Sequence, residues 1–340
     1  MLSSGRQAPA RARYRQNYRL NIAQQSTNML VDTYSFPTPL EASMSTADSA
    51  PRAHLFGVSA ALVTPFAADG SVDGAAVQAH VADLIARGID GVTLFGTTGE
   101  GASLGATDRA AIFDAVLATG IAPARITVCI CATDLESAVA KAGEAFERGI
   151  TRLLLTPPFY FKGVSDDALF AWISGFVAQT ASHSPEIILY HIPQVTMIPL
   201  SPALIRRLKD AFPTEIYGVK DSAGDWDNTV QLLPWDDLAI MIGDERLLAR
   251  AAPLGGAGSI SGMANLFPER MAGLVHRAEP DADLDALVED VITHPVTPMV
   301  KALVGRVRGD HGWSRTRLPL EPAATEATDQ LAQRCRAMLG

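Results

Sequence analysis

From residue 54 onward, short apolar runs alternate with longer alanine-rich stretches whose apolar positions recur at helical spacing. The runs are Val58–Val63, Gly91–Phe95, Ile126–Cys131, Leu153–Thr156, Ile187–His191, Ile216–Lys220, Leu238–Ile242 and Gly258–Ser261. Between them the pattern predicts helices over Val72–Arg87, Thr107–Ala118, Leu135–Arg148, Asp166–Gln179, Ser201–Ala211, Trp226–Leu233 and Glu245–Leu254, with Leu266–Arg277 after the last run. Runs that are apolar throughout belong to strands buried on both faces, as parallel strands are. Strand then helix, repeated eight times over roughly 225 residues, predicts the α/β class and a TIM (β/α)8 barrel. A doubly wound open sheet is the alternative, because repetition alone does not close a ring. Local punctuation agrees with the elements. Gly88, Gly120 and Gly149 sit just past helix ends, where a left-handed cap is wanted. Asp134 and Ser201 occupy N-cap positions, and Pro202 follows at a first helical position.

The two ends read differently. Residues 1–53 carry Arg6, Arg11, Arg13, Arg15 and Arg19 before the first acid, Asp32, among many Ser, Gln and Pro. The arginine excess has the look of an organellar transit peptide, but a disordered extension with Met44 as an alternative start is the preferred reading, since such a composition buries too little apolar surface to fold. The barrel is placed at 54–280. Residues 281–340 form a short C-terminal helical appendage, expected as one or two helices with a proline-rich interruption, over Val300–Arg306 and Thr325–Met338.

Composition narrows the function. The 340-residue chain is 48% hydrophobic with a formal net charge of −9, which offers no basic stripe for nucleic acid. No window approaches the ~18 uninterrupted apolar residues of a membrane span. Three cysteines, Cys129, Cys131 and Cys335, argue against a disulfide framework and suit a cytoplasmic location. Cys129 and Cys131 share one strand face and read as small buried residues. The seven histidines are scattered without ligand-like spacing, so no metal is expected.

Three features fall at the C-terminal ends of predicted strands, the face where barrels of this kind carry their active sites. They are Gly96-Thr97-Thr98-Gly99-Glu100, Tyr190-His191-Ile192-Pro193, and Lys220. A lysine amine forms a covalent imine with a ketone, and the cationic imine drains electrons from the adjacent carbon so that a C–C bond beyond it breaks or forms. Burial disfavours the charged form that cannot attack. Each step moves a proton, a task Tyr190 fits by position, with Thr97 as its relay. The threonine hydroxyls and the backbone N–H groups freed by Gly96 and Gly99 form a small anion cradle suited to a carboxylate. Strand alternation turns Asp221 and His191 to the opposite face from Lys220 and Tyr190. Glu100 either orients the threonine loop or ends its turn. Gly255–Ser259 has the look of a phosphate-gripping loop but is read as a tight approach to the last strand.

On these residues the chain from about 54 to 320 resembles the dihydrodipicolinate synthase / N-acetylneuraminate lyase family of pyruvate-linked class I aldolases. The matching stretches are Gly96–Glu100, Thr156–Tyr160, Tyr190–Pro193, Gly218–Gly224, Gly243-Asp244 and Gly255–Gly262. The resemblance implies Lys220 as the Schiff-base lysine, Tyr190 as acid/base, Thr97 as relay and Thr98 as carboxylate binder. It implies that Tyr160 reaches into a neighbouring subunit's site and that Ile260 lies near bound pyruvate. It also implies pyruvate and an aldehyde as substrates, no cofactor beyond the imine, and a homotetramer built as a dimer of dimers. One position departs. Where dihydrodipicolinate synthases carry an arginine for the aldehyde's carboxylate, this chain has Val195, which makes no charge-assisted contact; Lys162, in Phe161-Lys162-Gly163, is read as a replacement positive charge. The favoured expectation is therefore aldol chemistry of the 2-keto-3-deoxy-acid type. The alternatives are 4-hydroxy-tetrahydrodipicolinate synthesis, sugar-acid dehydration, and a non-catalytic 2-oxo-acid-binding barrel.

Overall fold

Eight parallel strands pair in chain order and close into a ring: β1 (Gly57–Ala61), β2 (Gly91–Leu94), β3 (Ile126–Ile130), β4 (Arg152–Leu155), β5 (Glu186–His191), β6 (Ile216–Asp221), β7 (Ala239–Ile242) and β8 (Gly258–Ser261). The seam is made by β1 and β8, with Gly57 opposite Gly258 and Ser59 opposite Ile260. Closure excludes the open-sheet alternative. The computed structural model describes residues 55–340, which lie in one compact unit. The stretch 1–53 and Met44 fall outside the described residues.

Around the ring run α1 (Gly74–Ala86), α2 (Ala106–Leu117), α3 (Leu135–Phe146), α4 (Asp166–Thr180), the single turn α5 (Pro193–Thr196), α6 (Pro202–Ala211), α7 (Trp226–Leu232), the short α8 (Leu248–Ala251) and α9 (Pro268–His276). The caps fall where sequence placed them. Asp134 accepts from the Ser137 N–H and Ser201 from the Leu204 N–H, and Gly88, Gly120 and Gly149 adopt positive φ. Strand residues are almost uniformly buried, as a sheet covered by side chains inside and helices outside requires.

Two expectations need correction. The helix expected over Glu245–Leu254 is broken into 3-10 turns at Glu245–Leu247 and Ala252–Leu254 flanking α8. Pro253 lacks an amide donor and its ring clashes with a continuing α-helix. After residue 280 there are three helices rather than one or two: α10 (Ala282–Val291), α11 (Val296–Arg308) and α12 (Thr325–Leu339). Pro295 is the N-cap of α11 and Pro298 lies in its first turn, so these prolines start a helix instead of interrupting one. Helix α11 is buried from Pro298 to Gly305 and packs on α12. Among the described residues no helix is long and apolar enough to cross a membrane.

Candidate active site

Tyr190 stands directly opposite Lys220 in the β5–β6 register, so strand pairing alone sets the two side by side. The Lys220 Nζ donates to the Tyr190 hydroxyl at 3.2 Å and lies 4.4 Å from its ring centroid. The Thr97 Oγ1 is 3.5 Å from the same hydroxyl, at the long limit of a hydrogen bond. Lys220 is 6% exposed and Tyr190 3%. They open on a cavity of about 250 Å³, whose walls also include Thr97, Thr98, Val195 and Ile260. Residues of the C-terminal helices complete it: Val288 and Val291 from α10, and Val296, Thr297 and Val300 from α11.

Asp221 faces away, as alternation requires. Its carboxylate accepts from Asn228 Nδ2 at 3.0 Å and Thr229 Oγ1 at 2.7 Å. His191 also faces away and its Nδ1 accepts from the Leu200 N–H at 3.0 Å; burial lowers its pKa, so the ring is held neutral. Both are packing groups.

The threonine loop is a tight turn. Gly99 and Gly101 each donate an N–H to the Gly96 carbonyl, and Glu100 donates to that of Thr97, all at 3.1 Å. Phe95 and Glu100, which flank it, adopt left-handed φ of 61° and 59°. Gly99 is required, since a Cβ there would lie 2.6 Å from the Leu62 carbonyl oxygen. Gly96 has open space instead. Among the described residues neither the Thr97 nor the Thr98 N–H donates to another main-chain group, which leaves both available to an anion.

Tyr160 does not enter the cavity of its own chain. It is 73% exposed and stacks edge-on against Phe161, itself 75% exposed, at 5.2 Å. Lys162 supplies no charge to the cavity either: its amine donates to the carbonyls of Phe159 and Thr196, tying the loop after β4 to α5. Val195 is on α5, 55% exposed, and borders both the Lys220 cavity and a second one of about 270 Å³. This second cavity is mostly apolar, shares Thr97 and Thr297 with the first, and includes Cys129, Cys131 and Phe159 in its wall. Burial pushes both thiols up, which leaves them neutral and unreactive. Gly255–Ala257 precede β8 and Gly258-Ser259 open it, so the stretch lies at the N-terminal end of the barrel strands, opposite Lys220. A Cβ at Gly258 would lie 2.1 Å from the Gly57 carbonyl oxygen, which fits the close-approach reading.

Three groups escaped the sequence reading. Glu245 borders the cavity and is buried, accepting from Ser261 Oγ at 2.5 Å; burial pushes its carboxyl up. Lys301 on α11 is fully buried and paired with Glu100 at 2.6 Å; burial pulls its amine down to about 8 against the opposing pull of Glu100. Thr297 donates its hydroxyl to the Thr97 carbonyl at 3.1 Å. A lone lysine inside the apolar run Met299–Val304 was the available signal for Lys301.

A profile of the dihydrodipicolinate synthetase family matches residues 54–338. An "uncharacterized DapA-like lyase" of Chloroflexus aurantiacus is 30% identical over 278 residues, covering 79% of this chain and 92% of that one. The 4-hydroxy-tetrahydrodipicolinate synthase 1 of Streptomyces coelicolor is 33% identical over 302 residues, covering 83% and 92%. The crystal structure of dihydrodipicolinate synthase from Agrobacterium tumefaciens superimposes with a TM-score of 0.81 at 45% identity, covering 84% of this chain and all of the other.

Proposed function

The chain belongs to the dihydrodipicolinate synthetase family, an enzyme family of class I lyases, and from that premise we propose that it joins pyruvate to, or releases it from, an aldehyde that bears no carboxylate, through an imine on Lys220. The product class is the 4-hydroxy-2-oxo acids, that is, 2-keto-3-deoxy acids. The observation that carries the reading is the contact line that runs from the buried Lys220 and Tyr190 to Thr97 at the barrel mouth.

In this reading the Thr98 hydroxyl and the N–H groups of the threonine loop hold the pyruvate carboxylate, with Ile260 behind the substrate. The Lys220 nitrogen attacks the ketone carbon, the ketone oxygen leaves as water, and Tyr190 moves the protons. Loss of a C3 proton gives the enamine, whose carbon attacks the aldehyde. Hydrolysis then returns the amine. No external cofactor takes part.

The aldehyde class follows from charge. Among the described residues bordering the cavity, Lys220 is the only cationic side chain, and it is committed to the imine. Val195 cannot hold a second carboxylate. Acidic and hydroxyl groups, Glu245 and Ser222 among them, suit hydroxyls on the aldehyde better than another anion. The synthase name carried by several relatives supports a second reading in which the aldehyde does bear a carboxylate.

We assign Tyr160 to the site of a neighbouring copy in a homotetramer. Its exposure beside Phe161, next to an apolar cavity that reaches Thr97, supports this. Tyr160→Phe is expected to slow turnover without changing the assembly measured by light scattering; full turnover in the variant would remove that role.

Borohydride reduction in the presence of pyruvate tests the imine. A reduced pyruvate adduct is expected on the Lys220 peptide and on no other. Absence of an adduct overturns the mechanism. Aldehydes with and without a carboxylate, offered with pyruvate and read by product mass, separate the two readings.

A further inference from the structure

We propose that the buried Lys301–Glu100 ion pair is the positioning device of the threonine loop, holding Thr97 and Thr98 in register with Tyr190 and Lys220. This deepens the imine reading and rests on it.

Neither partner touches the reacting atoms. Lys301 does not border the catalytic cavity, and Glu100 borders only the apolar one beside it. Their geometry is nonetheless aimed at the loop. Glu100 Oε1 accepts from Lys301 Nζ at 2.6 Å, and Oε2 from the Arg317 backbone N–H at 2.7 Å. Both carboxylate oxygens are thus fixed by the C-terminal segment. The lysine is held in turn by the Phe66 ring, 3.9 Å from its Nζ, and the Arg317 guanidinium lies over the same ring at 4.7 Å. A turn earlier on α11, Thr297 donates to the Thr97 carbonyl. One helix therefore grips the loop at two points.

The loop needs that grip. A glutamate at φ 59° is outside the region that L-residues prefer, and such a backbone persists only where its surroundings over-determine it. Glu100 follows Thr97 and Thr98 by three and two residues, so relaxation of its backbone moves both hydroxyls. The Thr97 Oγ1 already stands 3.5 Å from the Tyr190 hydroxyl, and any outward shift breaks the contact. A buried ion pair adds little net stability compared with apolar side chains of the same volume. What it adds here is direction.

The test compares Lys301→Arg with the double variant Lys301→Met/Glu100→Gln, which leaves no buried charge unpaired. Borohydride trapping of pyruvate on the parent comes first, since its failure sinks the imine reading itself. With trapping established, the folded double variant is expected to form the adduct at Lys220 more slowly. It should show a raised KM for pyruvate and lose about 10²-fold in kcat/KM, the scale of a misplacement near 1 Å. Lys301→Arg, which keeps the charge, is expected to recover most of that loss. A folded double variant with parental kcat and KM, or an arginine variant no better than it, overturns the proposal and leaves the pair a purely structural one. Should the double variant fail to fold, Glu100→Gln alone decides: it keeps a side-chain acceptor but removes the charge that Lys301 pairs with, and is expected to raise the pyruvate KM by about threefold to tenfold, the scale of one hydrogen bond. An unchanged KM then overturns the proposal.

Discussion

Mild acid is expected to loosen the barrel at its seam through His80. The ring is fully buried on α1, between two fixed partners. Arg308 Nη2 lies 2.9 Å from Nδ1, and a guanidinium only donates, so Nδ1 accepts. Nε2 therefore carries the hydrogen and donates to Asn265 Oδ1 at 3.0 Å. Asn265 in turn donates to the carbonyls of Ala61 at 2.8 Å and Gly262 at 2.9 Å, linking the ends of β1 and β8. Protonation would set an N–H against the Arg308 N–H groups inside the protein. Burial, with Arg308 adding to it, lowers the His80 pKa from 6.5 to about 3. The folded pKa is depressed, so below 6.5 the unfolded chain binds a proton that the folded one refuses. Stability is full above that pH and is lost as pH falls toward 3. Between pH 7 and 5 the loss is set by the unfolded value alone and comes to about 2 kcal/mol. His191, also depressed, adds in the same direction, while Glu245, whose folded pKa is raised, opposes it. The assay is urea unfolding followed by circular dichroism at the two pH values, on the parent and on His80→Gln. The amide keeps one donor and one acceptor but binds no proton. The parent is expected to lose about 2 kcal/mol more than the variant over this interval. Equal losses would show that His80 titrates normally and that the assignment of its tautomer and burial is wrong.

Three further outcomes are expected. Tyr190→Phe should still yield the borohydride-trapped pyruvate adduct, more slowly, while turnover falls about 10²–10⁴-fold, the range for a positioned acid/base; an unchanged steady-state rate would assign the proton to another group. Val195→Arg, at a half-exposed position with room for a long side chain, should improve KM for a carboxylate-bearing aldehyde by about tenfold to a hundredfold through a charge-assisted contact and leave the pyruvate KM alone; no change would mean that the aldehyde does not pass α5. Gly101→Ala would place a Cβ 1.7 Å from the Phe95 carbonyl oxygen, and the displaced turn should cost at least about 2 kcal/mol of stability by thermal melting and most of the activity; a stable, active variant would mean that the loop is softer than its hydrogen bonds indicate.

The ring of strands was legible because each strand is buried on both faces and reads as an unbroken apolar run, a signal carried by consecutive residues. Every strand falls within two residues of its expected bounds. The break around α8 was hidden because alanines and leucines on both sides favour a helix, and a single proline, by its missing donor and its clash with the preceding turn, outweighs them. Helix α10 was hidden by its acids, with Asp283, Asp285, Glu289 and Asp290 diluting a buried face of Leu284, Leu287, Val288 and Val291. Lys220, Tyr190 and Thr97 were legible for a topological reason. A barrel gathers the C-terminal ends of its strands, so any reactive residue found there is already near the others.

What topology of the strands does not gather is the loop's support, and that is where sequence reading stopped. Thr97 and Thr297 lie 200 positions apart, and Glu100 and Lys301 201. No periodicity connects them, because α11 reaches the mouth by leaving the repeating strand–helix order after β8. The residues after 280 therefore carry more of the site than an appendage would. Without them the Lys220 cavity would lose the walls supplied by Val288, Val291 and Val300, and Glu100 would be left as an unpaired carboxylate on a left-handed residue. In the proposed mechanism the chemistry falls on β5, β6 and the loop after β2, while the contacts that hold Thr97 come from α11. A ring of strands with that lysine, tyrosine and threonine is for that reason only part of the proposed site.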